Sequence, residues 1–400
     1  MADYLIGTVQ INSMDSGFES ALAGAYVEKI RPFCLCISPN PQMYLAKVNS
    51  KVHIKRMPNT GETHAPGCDS YDAPAELSGL GEVIGSAIQE NPEEGTTALR
   101  FNFSLSKGAG RAAPAPSGEE SDSVKTDGNK LTMRGTLHYL WEQAGFNRWA
   151  PGMAGKRTWS VIRHYLLQAA EDKTAKGTSL ADLLYIPEPF NLDRKKEITH
   201  RRMAHMMKIA STQSGTRRLM MVVGEVKEIA QARYGHKIIL KHLPDFHFML
   251  NDELHKRLNK RFIVELGLWD AIDSSHLMII GTFGIGVTGV ASLEEVALMC
   301  VAENWIPFEN QPEKMLLDTL SENKRRFSKG LRYNLPSSRP LAFAVLTDTQ
   351  PKPTALYVVP PGASDQYETA LNELVAESNL ASWIWKSGED MLPSLPEQHR

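Results

Sequence analysis

The chain has few cysteines, four in 400 residues, and no apolar run that approaches the ~20 residues of a membrane-spanning helix. So few thiols cannot supply the dense disulfide framework of a small secreted domain. Its first residues, Met1-Ala2-Asp3-Tyr4-Leu5, lack the basic and apolar segments of a secretory leader. The expectation is a cytoplasmic protein with no membrane partner. An overall excess of charge is missing too: Lys and Arg number 44 against 46 Asp and Glu, a net charge of -2. What is present is ordinary for a globular chain, with 42% hydrophobic and 22% charged residues, and 400 residues exceed what one core usually serves.

Three of the four cysteines are clustered. Cys34-Leu35-Cys36 precedes His64-Ala65-Pro66-Gly67-Cys68, and the residues between alternate as a hairpin: Met43, Tyr44, Leu45 and Val48, a turn at Asn49-Ser50-Lys51, then Val52, His53 and Ile54. Two ligand pairs at the ends of a hairpin can meet round one ion. A Cys₃His set suits tetrahedral Zn²⁺, and in a reducing compartment clustered thiols favour metal over disulfide. Cys34, Cys36, His64 and Cys68 are therefore expected to form a structural zinc site. Cys-x-Cys is tighter than the common two-residue gap, which leaves open the alternative of small buried thiols beside an unrelated histidine. Cys300, inside Val296-Ala297-Leu298-Met299, reads as a buried apolar residue.

Charge is distributed unevenly. Residues 131–218 hold 15 Lys and Arg against 7 Asp and Glu, an excess of 15 − 7 = 8, while the flanking parts are acidic, 11 against 16 before and 18 against 23 after. Within the basic part, Met133, Leu137, Leu140, Trp141 and Ala144 fall at helical spacing before a capping Gly145. A second helix carries Trp159, Ile162, Leu166 and Ala169 on one side and Lys156, Arg157, Ser160, Arg163 and His164 on the other. With the strand signal Leu183-Leu184-Tyr185-Ile186, this is the order of a winged helix-turn-helix, and those polar residues, with Arg201 and Arg202, are the candidate nucleic-acid contacts. An ordinary surface helix in a small bundle is the alternative. His200 and His205 read as polar-face residues.

The expected fold class is α/β, more fully a multidomain α+β chain. Residues 1–106 form a zinc-binding β-rich domain with a helix over Leu77–Ile88 and a strand over Thr97–Leu105; 107–130, rich in Gly, Ala, Pro and Ser, is a flexible linker. Residues 131–217 form the basic helical domain and 218–400 an α/β domain. In the latter, Leu219–Val223 and Lys237–Leu240 are strands, and Asn251 caps a helix ending at Gly267. The glycine run from Gly281 to Gly289 has no Gly-Lys-Ser/Thr and reads as a turn without nucleotide-binding function.

The runs Arg31-Pro32-Phe33-Cys34-Leu35-Cys36, Lys55-Arg56-Met57-Pro58-Asn59-Thr60-Gly61, Cys68-Asp69-Ser70-Tyr71, Asn304-Trp305-Ile306-Pro307-Phe308-Glu309 and Val358-Val359-Pro360-Pro361-Gly362-Ala363 resemble a bacterial family catalogued as domain of unknown function eleven-seventy-three. The resemblance spans nearly the whole chain and implies a setting on integrative and conjugative elements and plasmids, but no activity. The order of a helix bearing Glu313, the strands Leu341–Leu346 and Ala355–Val359, and a later helix also resembles the core of PD-(D/E)XK nucleases. There Glu313 and Asp348 are the candidate catalytic carboxylates for Mg²⁺, yet Leu356-Tyr357-Val358 stands where a Glu-x-Lys pair belongs. Asp365 and Glu368, on a later helix, are where a migrated ligand would fall. The expected function is a zinc-containing, non-catalytic nucleic-acid-binding protein of a mobile element, with DNA the preferred partner and further protein partners from that element. The alternatives are an atypical Mg²⁺ nuclease and a protein-interaction scaffold.

Overall fold

Tyr4 and Ile6 point to one side of the first strand, β1 (Asp3–Ile6), and are buried there. The computed structural model describes residues 2–48, 51–108, 128–210, 217–389 and 391–399. Gly7, at φ +61°, turns β1 back into β2 (Val9–Asn12), which makes a hairpin. Helix α1 (Phe18–Val27) buries Leu22 and Ala25 against Ile6, and β3 (Phe33–Cys34) pairs with β1. The expected hairpin is present as β4 (Met43–Val48) and β5 (Lys51–Arg56), with Leu45 opposite Ile54; its turn residues Asn49 and Ser50 lie outside the described residues.

No helix forms over Leu77–Ile88. Gly79, Gly81 and Gly85 interrupt it: a Cβ on Gly79 would stand 1.9 Å from the Arg332 carbonyl oxygen, and Gly85 has φ +76°. The segment runs as turns into β6 (Ile88–Asn91), followed by β7 (Thr96–Leu99), a shorter strand than expected, and β8 (Ser106–Lys107). Most of the expected linker, residues 109–127, lies outside the described residues. Thr132 then caps α2 (Met133–Gln143), its hydroxyl accepting the Gly135 N–H at 2.9 Å, and Gly145 follows at φ +73°. β9 (Arg148–Trp149) leads to α3 (Trp159–Glu171), β10 (Lys173–Ala175), β11 (Thr178–Ser179) and α4 (Leu180–Leu183). β10 lies parallel to β7 in a sheet of order β11-β10-β7-β6. The next strand, β12 (Leu184–Tyr185), is no wing: it pairs in parallel with Met221 and Val222 of a larger sheet, and α5 (Lys195–Met206) follows.

After β13 (Arg217–Arg218), which pairs with β8, come β14 (Met220–Gln231), β15 (His236–Leu240), β16 (Leu243–Leu250), α6 (Asp252–Arg261), α7 (Ile263–Ala271), β17 (His276–Ile285) and β18 (Ala291–Val301). Asn251 caps α6 as expected, but that helix ends at Arg261 and a separate α7 passes through Gly267. The glycine run is the β17–β18 hairpin. β14 pairs with β17 through Met220–Glu225 and with β15 through Val226–Gln231, the register shifting at Val226/Glu228. β15 pairs with β16, β16 in parallel with β18, and β18 with β17, which closes a five-stranded barrel. Phe248 and Phe283, on strands that do not pair with each other, meet at 5.0 Å inside it.

The last part contains α8 (Gln311–Glu322), β19 (Phe327–Lys329), β20 (Ala344–Leu346), β21 (Thr354–Val359), α9 (Asp365–Glu377) and β22 (Ala381–Lys386). Its sheet has the order β22-β21-β20-β19-β9, with β21 and β22 parallel and β9 supplied from between α2 and α3. One buried cluster takes in Val83, Trp141, Trp159, Phe283, Leu316 and Trp385. Residues before Leu77 instead contribute two small clusters, round Tyr4, Cys34 and Met43 and round Ile6, Leu22 and Ala25.

Candidate metal centre

The buried apolar residues of the N-terminal module fall in two small clusters, and its four metal-type side chains converge beside them. Cys34 comes from β3 and Cys36 from just after it. The chain past β5 makes a 3-10 turn at Gly61–Thr63 that delivers His64, and the Cys68 N–H closes on the Ala65 carbonyl at 2.8 Å. Gly61 is required: a Cβ there would lie 2.6 Å from Cβ of Asp72. The ligand atoms of Cys34, Cys36, His64 and Cys68 all lie within 4.8 Å of one another, the one group of this kind among the described residues.

The distances fit a tetrahedral ion. Cys34 Sγ is 3.7 Å from Cys68 Sγ, and His64 Nδ1 is 3.4 Å from Cys36 Sγ and 3.8 Å from Cys68 Sγ. Zinc–sulfur bonds of about 2.3 Å imply S···S edges of about 3.8 Å and slightly shorter N···S edges. Main-chain N–H groups of Ala65 and Ser70 donate to Cys36 Sγ and Cys68 Sγ, both at 3.4 Å, the kind of contact that favours thiolate. Burial pushes Cys34 up to about 12 and raises Cys68, so these thiols stay protonated at neutral pH unless a cation displaces the protons. Burial, then Arg56, lowers His64, keeping its imidazole neutral as a ligand requires. With four donors the set is closed and leaves no position for substrate.

Asp72, Arg148 and Glu142, which the sequence did not single out, tie this centre to the rest of the chain. The Asp72 carboxylate accepts from Arg56 of β5 and from Arg148 of β9, and Arg148 also donates to the Asp69 carbonyl. Glu142, whose carboxylate accepts from the Tyr333 hydroxyl, is raised to about 7 by burial and then by Asp72. Only long-range contact makes these residues distinctive, so no local pattern signals them.

The expected nucleic-acid residues are dispersed. Lys156 and Arg157 precede α3, which begins after Thr158, and do not lie on its face. Arg157 donates to the carbonyls of Phe146 at 3.2 Å, Asn304 at 3.0 Å, Gly145 at 3.3 Å and Arg148, and burial lowers it to about 10. Arg163 Nε donates to the Ile186 carbonyl at 3.1 Å. Arg202 is buried with its guanidinium 5.1 Å from the Phe246 ring centre. Arg201 makes a two-pronged bond to Glu188 at 2.9 and 2.8 Å. Lys156, Ser160 and His164 are exposed.

The expected catalytic carboxylates sit in separate networks. Glu313 is buried on α8, accepts the Glu309 N–H at 2.9 Å and lies 3.4 Å from Lys329 Nζ. Asp348 is taken up by Arg325, whose Nη2 is at 2.8 Å, by the Arg326 N–H at 2.7 Å and by Gln398 at 3.2 Å. Asp365 and Glu368 are in the first turn of α9, and Glu368 is bound by Lys386 at 2.8 Å. Among the described residues no helix is long and apolar enough to cross a membrane.

No curated protein and no solved structure gives a match to this chain. A family model described as "Protein of unknown function (DUF1173)" matches residues 4–388, nearly the full length, and the chain belongs to that family.

Proposed function

We propose that this is a cytoplasmic nucleic-acid-binding protein without a hydrolytic centre of its own, held in shape at its N-terminal module by one structural Zn²⁺. The convergence of Cys34, Cys36, His64 and Cys68 within 4.8 Å carries the reading. Zinc there supplies cross-linking and no chemistry on a substrate; the surrounding residues exclude water and orient the thiols. The basic excess of residues 131–218 and the exposure of Lys156, Ser160 and His164 support a polyanionic partner, DNA before RNA. Surface pairs such as Arg201–Glu188 are screened by solvent and add little, so phosphates can replace the carboxylates. The mobile-element setting implied by the residues round Cys34 is the context proposed for this binding. A salt titration of binding to DNA and RNA, duplex and single-stranded, tests the reading: affinity should fall steeply with salt, and no binding at low salt would leave the protein-interaction scaffold.

One observation favours a second reading. Helix α8, three antiparallel strands β19-β20-β21, helix α9 and the parallel β22 follow the order of the PD-(D/E)XK core. Metal-dependent cutting of DNA that is lost in both Glu313→Gln and Asp348→Asn would establish a nuclease. The engagement of these carboxylates by Lys329 and Arg325 favours a blank.

A further inference from the structure

The barrel has a particular connectivity. Taking β14, β15, β16, β17 and β18 as first to fifth strands, the order round the barrel is first, second, third, fifth, fourth and back to first. The third and fifth strands are parallel, helices α6 and α7 fill the connection from third to fourth, and the long first strand serves two neighbours across a bulge. This is the path of the oligonucleotide- and oligosaccharide-binding barrel, whose ligands lie across the second and third strands between the loops that follow the first and fourth. A path names no ligand by itself. The side chains have to do so.

On the outer side of β15 and β16, Lys237 stands opposite Met249, and Ile239 opposite Glu228, while their neighbours Ile238 and Phe248 pair inside the barrel. His247, on the same side as Met249, feels the charges of both Lys237 and Asp245. Met249 is also opposite Ser292 at the start of β18, so the β14–β15 turn and the β17–β18 turn lie at the same end of this face. The first turn carries Tyr234, 77% exposed, with the Arg233 guanidinium 5.4 Å from its ring centre. That turn is fixed in place: Gly235 takes φ +72°, and His236 stacks on His255 of α6 at 3.4 Å. At the other end Asp245 is bound by Lys195 at 2.9 Å, which brings up the first turn of α5 with Arg194 and Lys196. The strip from Arg233 to Lys195 therefore joins an exposed ring, a partly exposed imidazole and thioether, and the cations Arg233, Lys237, Arg194, Lys195 and Lys196, of which Arg194 is paired with Glu197 and Lys195 with Asp245, with Glu228, Asp193 and Asp252 at its edges.

We propose that this face binds single-stranded nucleic acid, with a base stacked on Tyr234 and the phosphates following Arg233, Lys237 and the first turn of α5. The proposal rests on the nucleic-acid reading above and relocates it from α3 to the barrel. Stacking on an exposed ring suits a strand whose bases are free, and a line of cations beside it suits the backbone.

The test is fluorescence anisotropy of the full-length protein with labelled oligo-dT and with a mixed-sequence duplex. Oligo-dT should bind more tightly than the duplex. Tyr234→Ala should weaken that binding roughly tenfold, and Tyr234→Phe should retain it because the ring face survives. Lys237→Gln should lower the salt slope by about 0.7. Thermal midpoints should be unchanged in the Tyr234 variants, since the side chain is exposed, which separates lost binding from lost fold. Binding that is unaffected by Tyr234→Ala and Lys237→Gln, or tighter for the duplex, would overturn this site and leave the nucleic-acid reading intact. No binding of either probe by the parent at low salt would overturn both.

Discussion

Cys34 Sγ and Cys68 Sγ stand 3.7 Å apart although 34 residues separate them in the chain. Two packed thiols and two ligands of one tetrahedral ion both stand at about this distance; the convergence of His64 and Cys36 on the same point, all four donors within 4.8 Å of one another, is what fits the ion. Purified protein should contain about one zinc per chain by elemental analysis. Cys68→Ser should lose the metal and make residues 2–77 the first to be cleaved in limited proteolysis, because the packing there is confined to two small clusters. Metal-free protein with an equally resistant N-terminal module would sink this account.

Arg157 has a structural task. Substitution by Gln strands the carbonyls of residues 146, 148 and 304 that the guanidinium now serves, while that of Gly145 keeps the Arg148 N–H, and should destabilise the protein by about 2–4 kcal/mol in urea unfolding. Lys156→Gln, at an exposed position, should change stability by less than about 0.5 kcal/mol. Equal effects from the two would contradict the difference in their surroundings.

Arg325 and Asp348 form a buried pair with both side chains 4% exposed. Asp348→Ala alone leaves a buried guanidinium uncompensated and should cost about 3–5 kcal/mol. Replacing both, as Arg325→Met with Asp348→Leu, should recover much of that loss. A double variant as unstable as the sum of the singles would show the two charges to be uncoupled.

Glu142 gives stability a pH dependence. Its carboxyl is raised to about 7 in the folded protein, by burial and then by Asp72, whereas in the unfolded chain it titrates in the ordinary carboxylate range. The folded state consequently binds a proton that the unfolded state has released, and stability falls as pH rises from about 4.5 through 7. Glu142→Gln should therefore stabilise the protein by up to about 3 kcal/mol at about pH 8, with the gain vanishing near pH 4. A gain of the same size at both pH values would exclude ionisation as its cause.

The sequence by itself determined those features whose cause lies within a few residues. Gly145 and Thr132 bound α2, the alternation through Leu45 and Ile54 makes the β4–β5 hairpin, and the ligand types at Cys34, Cys36, His64 and Cys68 single out a group that could hold a metal ion before any fold is known. Glycines at 79, 81 and 85 carried the information that Leu77–Ile88 is no helix, but their constraint becomes decisive only because the Arg332 backbone packs against the first of them. The tertiary structure alone decided the rest. An alternating pattern says which side of a strand is buried and leaves its neighbour open. So β12 could read as a wing until it paired with Met221, and β14 as a short strand until a bulge let it serve both β15 and β17. The same holds for charge: an arginine's side chain is identical whether its partner is a phosphate, Glu188 or a row of carbonyls. For Arg157, residues distant in sequence fix the choice by placing Asn304 beside Gly145, where the exposed and basic position expected of it becomes a partly buried hub.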